Sequence, residues 1–455
     1  MSHYMDRRLT RKRFFQIGAG AAIAGAGALS GPGRFARATP ITTGTRQQAL
    51  HLGATDGWVG FPNPANASSM LVDPYAPDHF QGATTYVFGF RDLTPLVPSG
   101  QPPETVTQDM LNQRNKAQAA APLLWVDQEI SLTIHLTNLG LQQRPDLTDS
   151  HTIHWHGFRN APPIFDGVPE MSIAVPLNRT FPYNYNTHDP GTYIYHCHFE
   201  DVEHVQMGMT GIVFVRPTMG RWFTYNHSST AFDREYALLV TEWWSQGHYN
   251  DAHIQESDWT DFEPDICMFN GRTYPDTILP NGSYDSHGEP VPIPGIGAYR
   301  ASQLRYQPIS SLVRGKAGEK VLLRVGHLGY KEHSIRLDGI PMTIVGRDAT
   351  HLQGRDGTLL HFQTSAMDIG PGESFDAIVT LPPYTAAGAQ TDNYGSYNAY
   401  GLYDRDYGSN GYLIDGSAGG QWANFAGQHT GMRTEVRVYD PNTTTLTAQT
   451  EPNTP

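Results

Sequence analysis

The sequence predicts an all-β protein built from two β-sandwich domains. Three observations predict it. Short runs of strand-type residues recur between Gly, Pro, Asn and Asp punctuation. No window of helical length carries a 3.6-residue apolar period with caps. An octapeptide pattern occurs twice, about 180 residues apart.

The strand runs are residues 84–90, 130–136, 192–195, 211–215, 320–325 and 342–345. The repeat is SHTIHWHG at 150–157 and EHSIRLDG at 332–339. Each copy follows a strand that ends in a short turn, LTIHLTNLG and LLRVGHLG. Two similar sandwiches explain this better than one large sheet. The predicted boundaries are 39–217 for the first domain and 218–440 for the second, with a linker over 217–234. Residues 94–122 are Pro- and Gln-rich and read as an insertion loop or a short helix. Residues 441–455 read as a disordered tail.

Composition narrows the function classes. Of 455 residues, 46 are Gly, 33 Pro and only 16% charged, which argues against a coiled coil. The 23 Tyr, 19 Phe and 8 Trp supply core material, so a disordered acidic chain is excluded despite the net charge of −13. An acidic chain without a long basic run is a poor nucleic-acid binder. Two cysteines cannot make a disulfide framework.

The N-terminus reads as an export signal over residues 1–38. A basic stretch, RRLTRKRFFQ, precedes the small apolar run IGAGAAIAGAGALSG and then Ala36-Arg37-Ala38, an A-x-A cleavage pattern. Arg11-Lys12-Arg13-Phe14-Phe15 resembles a twin-arginine signal with Lys in place of the second Arg. No other segment has the roughly 18 apolar residues of a membrane span. The expectation is an exported protein, periplasmic or extracellular.

The chemistry lies in two stretches of the first domain, residues 151–157 (HTIHWHG) and 196–209 (HCHFEDVEHVQMGM). Strand geometry sorts their side chains, because i and i+2 share a face and i and i+1 do not. His154 and His156 therefore share a face, as do His196 and His198. Cys197 points the other way, and so does His151. The pattern predicts two metal sites back to back, one around His151 and Cys197 and the other among four imidazoles. His204 and Met209 follow Cys197 on a short loop, and Gly208 lets that loop turn. Two His, a Cys thiolate and a distant Met form the ligand set of a blue-copper centre. Met207 is a weaker rival for the axial place, and Met209 taken alone reads as core. A zinc site is the metal alternative, but zinc has no use for Met209 and structural zinc sites usually hold more Cys.

These motifs, with Asp166-Gly167-Val168-Pro169 between them, make the chain resemble the cupredoxin-fold multicopper oxidase superfamily. That family includes laccases and two-domain copper nitrite reductases. The resemblance implies two cupredoxin-like Greek-key sandwiches and copper as cofactor. It implies that His151, Cys197, His204 and Met209 hold a type 1 copper. His154, His156, His196 and His198 match half of a type 2/type 3 cluster, and Cys197 would carry electrons between the sites. Asp166 matches an acidic residue that aids proton delivery. Glu203, beside His204, is a second candidate for proton relay; either acid can also be read as a solvated loop carboxylate.

The second domain departs from the family. Arg336 stands where His154 does, Asp338 where His156 does, and only His333 is kept, opposite His151. Residues 402–406 (LYDRD) replace the Cys loop, with Arg405 where a nitrite reductase would want His. This domain reads as copper-free, and Cys267 as a core residue. His327, His333, His351, His361 and His429 remain as scattered residues, each read first as structural. A symmetric homotrimer could bring one or two of them to a neighbour's half-cluster.

The leading expectation is a multicopper oxidase that passes electrons from a phenol, an aromatic amine or a low-valent metal ion to dioxygen. Two other readings stay open: a copper-binding electron carrier or copper-handling protein without oxygen turnover, and a nitrite-reductase-like enzyme.

Overall fold

The computed structural model describes residues 47–62, 71–78, 80, 83–98, 105–159, 161–293, 303–406 and 427–455. The predicted export signal lies outside them. The first eight strands are β1 (Gln47–Gly60), β2 (Thr84–Asp92), β3 (Leu124–Asp127), β4 (Ser131–Gly140), β5 (His154–His156), β6 (Thr180–Asn186), β7 (Gly191–His196) and β8 (Thr210–Arg216). They form two four-stranded sheets, ordered β2-β1-β4-β6 and β3-β8-β7-β5. Leu52, Trp58, Phe88, Ile134, Trp155, Tyr185 and Val213 fill the core between them.

The remaining strands form a second sandwich and a small ribbon. They are β9 (Arg234–Trp243), β10 (Ile266–Phe269), β11 (Ser283–Tyr284), β12 (Pro290–Val291), β13 (Val313–Lys316), β14 (Lys320–His327), β15 (His333–Leu337), β16 (Met342–Arg347), β17 (Thr350–His351), β18 (Phe362–Thr364), β19 (Ala366–Ile369), β20 (Ser374–Thr380), β21 (Gln390–Asp392), β22 (Gly395–Asp404) and β23 (Arg433–Tyr439). One sheet runs β10-β9-β14-β20-β16-β17 with β18 on β16, and the other β13-β23-β22-β15-β19 with β21 on β22. Cys267 is buried in this core, which also holds Leu238, Val325 and Ile344.

The repeat read in the sequence is a repeat of topology. β1 and β4 pair in parallel, as do β9 and β14. β3 and β8 pair in parallel, as do β13 and β23. β5 follows β4 into the opposite sheet and pairs with β7, just as β15 follows β14 and pairs with β22. Each expected strand run falls inside an observed strand, except that β4 starts one residue after the expected Ile130.

Among the described residues, three short α-helices interrupt the β structure: α1 (Gln108–Leu111), α2 (Asp201–Gln206) and α3 (Ser245–Ala252). α1 meets the short-helix reading of 94–122. All seven residues of β8 are buried, because its sheet has the first core on one face and the second sandwich on the other. There Ile194, Ile212 and Phe214 meet Ala237 and Leu239. A buried polar network adds to the contact. Arg216 and Arg324 both hold Glu235, while Thr192, Tyr225 and Arg324 all reach Asp376.

The disordered tail expected at 441–455 is not found. Gln449 accepts from Glu235 N (2.7 Å), and Asn453 accepts from Ala237 N (2.7 Å) and donates to Ala237 O (2.8 Å). These groups lie on β9 before its pairing with β10 begins at Val240, so amide side chains complete an edge that no strand covers. Polarity in this segment reflects hydrogen-bonding partners, not solvation.

The second sandwich carries a buried charged triad at the position that corresponds to His151 and Cys197 in the first. The register pairs Arg336 with Tyr403, as His154 pairs with His196, which puts Asp404 in the place of Cys197 and Arg405 in that of His198. His333, the counterpart of His151, donates from Nδ1 to Asp404 Oδ2 (2.6 Å) and from Nε2 to Glu242 Oε2 (3.1 Å). Burial alone would lower this imidazole, but the two carboxylates outweigh it and raise His333 to about 9. The buried carboxylate–imidazolium–carboxylate triad therefore stabilises the fold fully below about pH 6.5, the ordinary imidazole value, and its contribution is lost as pH rises through about 9. Replacing His333 with Leu strands two buried carboxylates and is expected to cost about 3–5 kcal/mol in denaturant unfolding at pH 6. An unchanged midpoint would show that the triad carries no stability.

Candidate metal centres

The first centre lies inside the core of the first sandwich. Thr152 N–H donates to Cys197 Sγ (3.4 Å), and Thr152 Oγ1 accepts from His198 N (2.8 Å), so one residue ties the two histidine motifs together. His151 Nδ1 is 3.8 Å and His204 Nδ1 3.3 Å from Cys197 Sγ, with all three side chains fully buried. Two ligands sharing one ion, sulfur at about 2.3 Å and nitrogen at about 2.05 Å, stand about 3.6 Å apart at an open angle. The two observed spacings bracket that value.

Burial tunes the donors. It pushes His151 well below the usual imidazole range, and His204 to about 3, so both rings are neutral. It pushes the Cys197 thiol up to about 11, so an ion must displace the proton to gain the thiolate. Met209 N–H bonds to His204 O (2.9 Å), and Cys197 N–H bonds to Met209 O (3.2 Å), which fixes Met209 next to the centre. Met207 is equally buried but is bound through its carbonyl to Phe88 N. Gly208 has φ +119°, and a Cβ there would stand 2.8 Å from Phe88 O.

The second centre lies on the opposite face of the same strands. β5 and β7 pair His154 with His196. The ring of His154 is 5.2 Å from His196, 5.1 Å from His198 and 6.0 Å from His156, and His196 and His198 are 5.4 Å apart. Four imidazoles thus gather as the alternation predicts. His154 Nδ1 donates to Asp166 O (2.6 Å) and His196 Nδ1 to Cys197 O (2.8 Å). Both rings keep Nε2 for a ligand, and His196 Nε2 is buried with no partner. The Asp166 carboxylate lies 3.7 Å from His154 Nδ1. His156 is the exposed member, and its ring rests against Gly372 on the turn before β20, where a Cβ would be 2.7 Å from Cε1.

Glu203 lies on the His204 side, in the wall of a cavity of about 450 Å³. Arg144, Glu200, Asp201, Asp251, Glu256 and Trp259 also line it. Arg144 is already held by Asp146 and Asp251, which leaves the mouth strongly acidic. Asp149 and Glu200 reach the neighbourhood of His204, with Asp149 Oδ2 4.0 Å from Nε2. Burial, then repulsion from Glu200 and Asp149, lifts Glu203 to about 7; burial, then Glu203, does the same for Asp251. Sequence reasoning missed Thr152, Gly372 and this acidic ring. The scattered histidines do not reach the four-imidazole site as pairs. His327 and His333 sit by Glu242, His351 and His361 meet on a hairpin, and His429 is exposed.

Two buried imidazole nitrogens aimed at a buried thiol, back to back with four gathered imidazoles, define a copper protein of the cupredoxin fold. Two multicopper oxidase family models match residues 107–219 and 234–394, and the chain belongs to that family. It is 27% identical to L-ascorbate oxidase from Cucurbita maxima over 238 residues, which are 51% of this chain and 37% of that protein. It is 25% identical to copper resistance protein A from Escherichia coli over 252 residues, 52% of this chain and 39% of that one. The matches thus span less than half the length of these relatives. The blue copper oxidase of Nitrosomonas europaea shares the fold at TM-score 0.55 and 19% identity, covering 86% of both chains. The copper nitrite reductase of the same organism does so at TM-score 0.51 and 15% identity, covering 89% of this chain and 97% of that one.

Replacing Cys197 with Ser should remove the intense visible band of thiolate-bound copper and lower the copper content by one ion per chain. A band that survives the substitution would place the thiolate site elsewhere.

Proposed function

We propose that the chain is a copper-dependent oxidoreductase that couples one-electron oxidation of a low-valent metal ion to reduction of dioxygen. The observation that carries the donor class is the acidic cavity beside His204. Phenols and aromatic amines need apolar walls and stacking partners; Leu147, Val202, Ile254 and Trp259 supply some apolar wall, but five carboxylates, Glu200, Asp201, Glu203, Asp251 and Glu256, line the cavity with them. Hard carboxylate oxygens recruit cations. Asp149 and Glu200 would bind and orient the donor beside the His204 ring.

Copper, when bound, supplies single-electron acceptance at the thiolate site and multi-electron chemistry with dioxygen at the imidazole site. The polypeptide provides the rest. His151, His204, Cys197 and Met209 hold the first ion in a water-free core. The peptide link from Cys197 to His196 and His198 joins the sites. His154, His156, His196 and His198 offer half of the second ligand set, and a second copy of the chain, in a homotrimer, would complete it. Asp166, hydrogen-bonded through its carbonyl to His154, is the candidate to hold a proton near that site. Export through the 1–38 leader fits this reading, and no described helix is long and apolar enough to cross a membrane.

A second reading, an electron carrier without oxygen turnover, is favoured by one observation: Arg336 and Asp338 stand where a second histidine pair is needed. Oxygen uptake by copper-saturated protein with Cu(I) or Fe(II) as donor separates the two. Turnover is expected, and a protein that is reduced by the donor but consumes no oxygen is a carrier. Asp149→Asn with Glu200→Gln should raise KM for the metal donor at least tenfold, about 1.4 kcal/mol or more of binding, while KM for a neutral phenol hardly moves. Equal shifts for both donors would exclude the cavity as the cation site.

A further inference from the structure

A further set of histidines lies on the second sandwich, away from both centres. β17 and β18 both pair antiparallel to β16 and run the same way along it, and residues 351–361 between them fold out as a hairpin. Its tip is Asp356-Gly357, where Asp356 accepts from Thr358 N (3.0 Å) and Gly357 has φ +86°. Gly357 N closes the turn on Gly354 O (2.9 Å), and glycine takes the positive φ there without strain. The Gln353–Leu359 bridge and the bond from Leu360 N to Leu352 O (2.9 Å) fix the register. Counting outward from that bridge sets His351 opposite His361. Residues directly opposite in an antiparallel pair share a face, with their Cβ atoms about 5 Å apart. Their Nε2 atoms are 2.9 Å apart.

The pair is positioned from beneath. Tyr225 stacks on His351 with centroids 5.1 Å apart and an interplanar angle of 17°. Tyr225 is itself buried, and its hydroxyl donates to Asp376 (2.7 Å). The imidazole plane is thus set by a fixed neighbour, as ligating histidines require. His227 stands alongside, its ring 5.5 Å from that of His351. Ser229 holds its Nδ1 (2.7 Å), so Nε2 is the nitrogen it can still offer. His351 and His361 are half-buried and reachable from solvent.

We propose that His351 and His361 form a surface site for one Cu(II) ion, distinct from the two centres of the first sandwich. The spacing selects the ion. Two nitrogens at about 2.05 Å from a shared metal lie about 3.3 Å apart in a tetrahedron and about 2.9 Å apart at a right angle. The observed spacing is the right-angled one, which belongs to tetragonal Cu(II) or Ni(II) rather than to Zn(II). Between those two, imidazole sites bind copper more tightly. Water or His227 would fill the remaining positions. The site holds an ion and performs no transfer, so it does not depend on the oxidase reading.

The test uses the full chain, wild type and His361→Gln, each dialysed against the same micromolar Cu(II). The wild type is expected to retain one copper per chain more than the variant, with a tetragonal Cu(II) paramagnetic signal larger than the variant's by one spin per chain. The thiolate–copper visible band should be the same in both, which reports that the variant is folded and its first centre intact. His351→Gln should cause the same one-ion loss. Equal copper content in wild type and variants overturns the proposal and leaves a hydrogen-bonded histidine pair only. Loss in one variant but not the other overturns it as well.

Discussion

The alternation of side chains at the end of β7 is the constraint on which the rest depends. Three consecutive residues, His196, Cys197 and His198, must serve two faces of one sheet. The pleat sends the thiol into the core toward His151 and His204 and the two imidazoles outward toward His154 and His156. A one-residue slip would exchange the faces and destroy both sets at once. The His154–His196 pairing and the double contact of Thr152 hold the register. The two centres cannot be tuned independently, because one peptide chain is the wall between them.

Around that wall the molecule sets up a steep polarity gradient. The inner site is dry and its imidazoles are neutral because burial makes their charged forms costly. A few ångströms outward, past His204, the surroundings change to carboxylates crowded enough to raise one another's affinity for protons. A cation approaching from solvent meets attraction first and, behind it, two neutral imidazoles and a thiol that must give up its proton. The same residue, His204, belongs to both environments.

Much of this was legible in the sequence. The strand runs, the duplicated octapeptide and the odd–even spacing of His151, His154, His156 and Cys197 express local periodicities, and local periodicity survives folding. The acidic cavity was not legible, because Arg144, Glu200 and Asp251 come from three separate segments with no shared pattern. The His351–His361 contact depends on where a turn is placed, and ten residues of separation do not reveal a hairpin register. The tail misled for a different reason. Thr, Asn and Gln look like solvated chain, yet Gln449 and Asn453 act as a side-chain substitute for a missing strand.

The triad of His333, Asp404 and Glu242 bears on how such a domain could regain a metal. Asp404 occupies the cysteine position, so the substitution Asp404→Cys looks like the whole repair. It is not, because Glu242 arrives from β9, outside both motifs, and keeps its hold on His333 Nε2. An imidazole bonded to a buried anion keeps its proton, and a protonated ring offers no lone pair. Restoring a centre would require changing two strands together, with an intermediate left carrying unbalanced charge in its core. The substitution path is therefore a valley rather than a slope, because each single change leaves a buried charge without its partner.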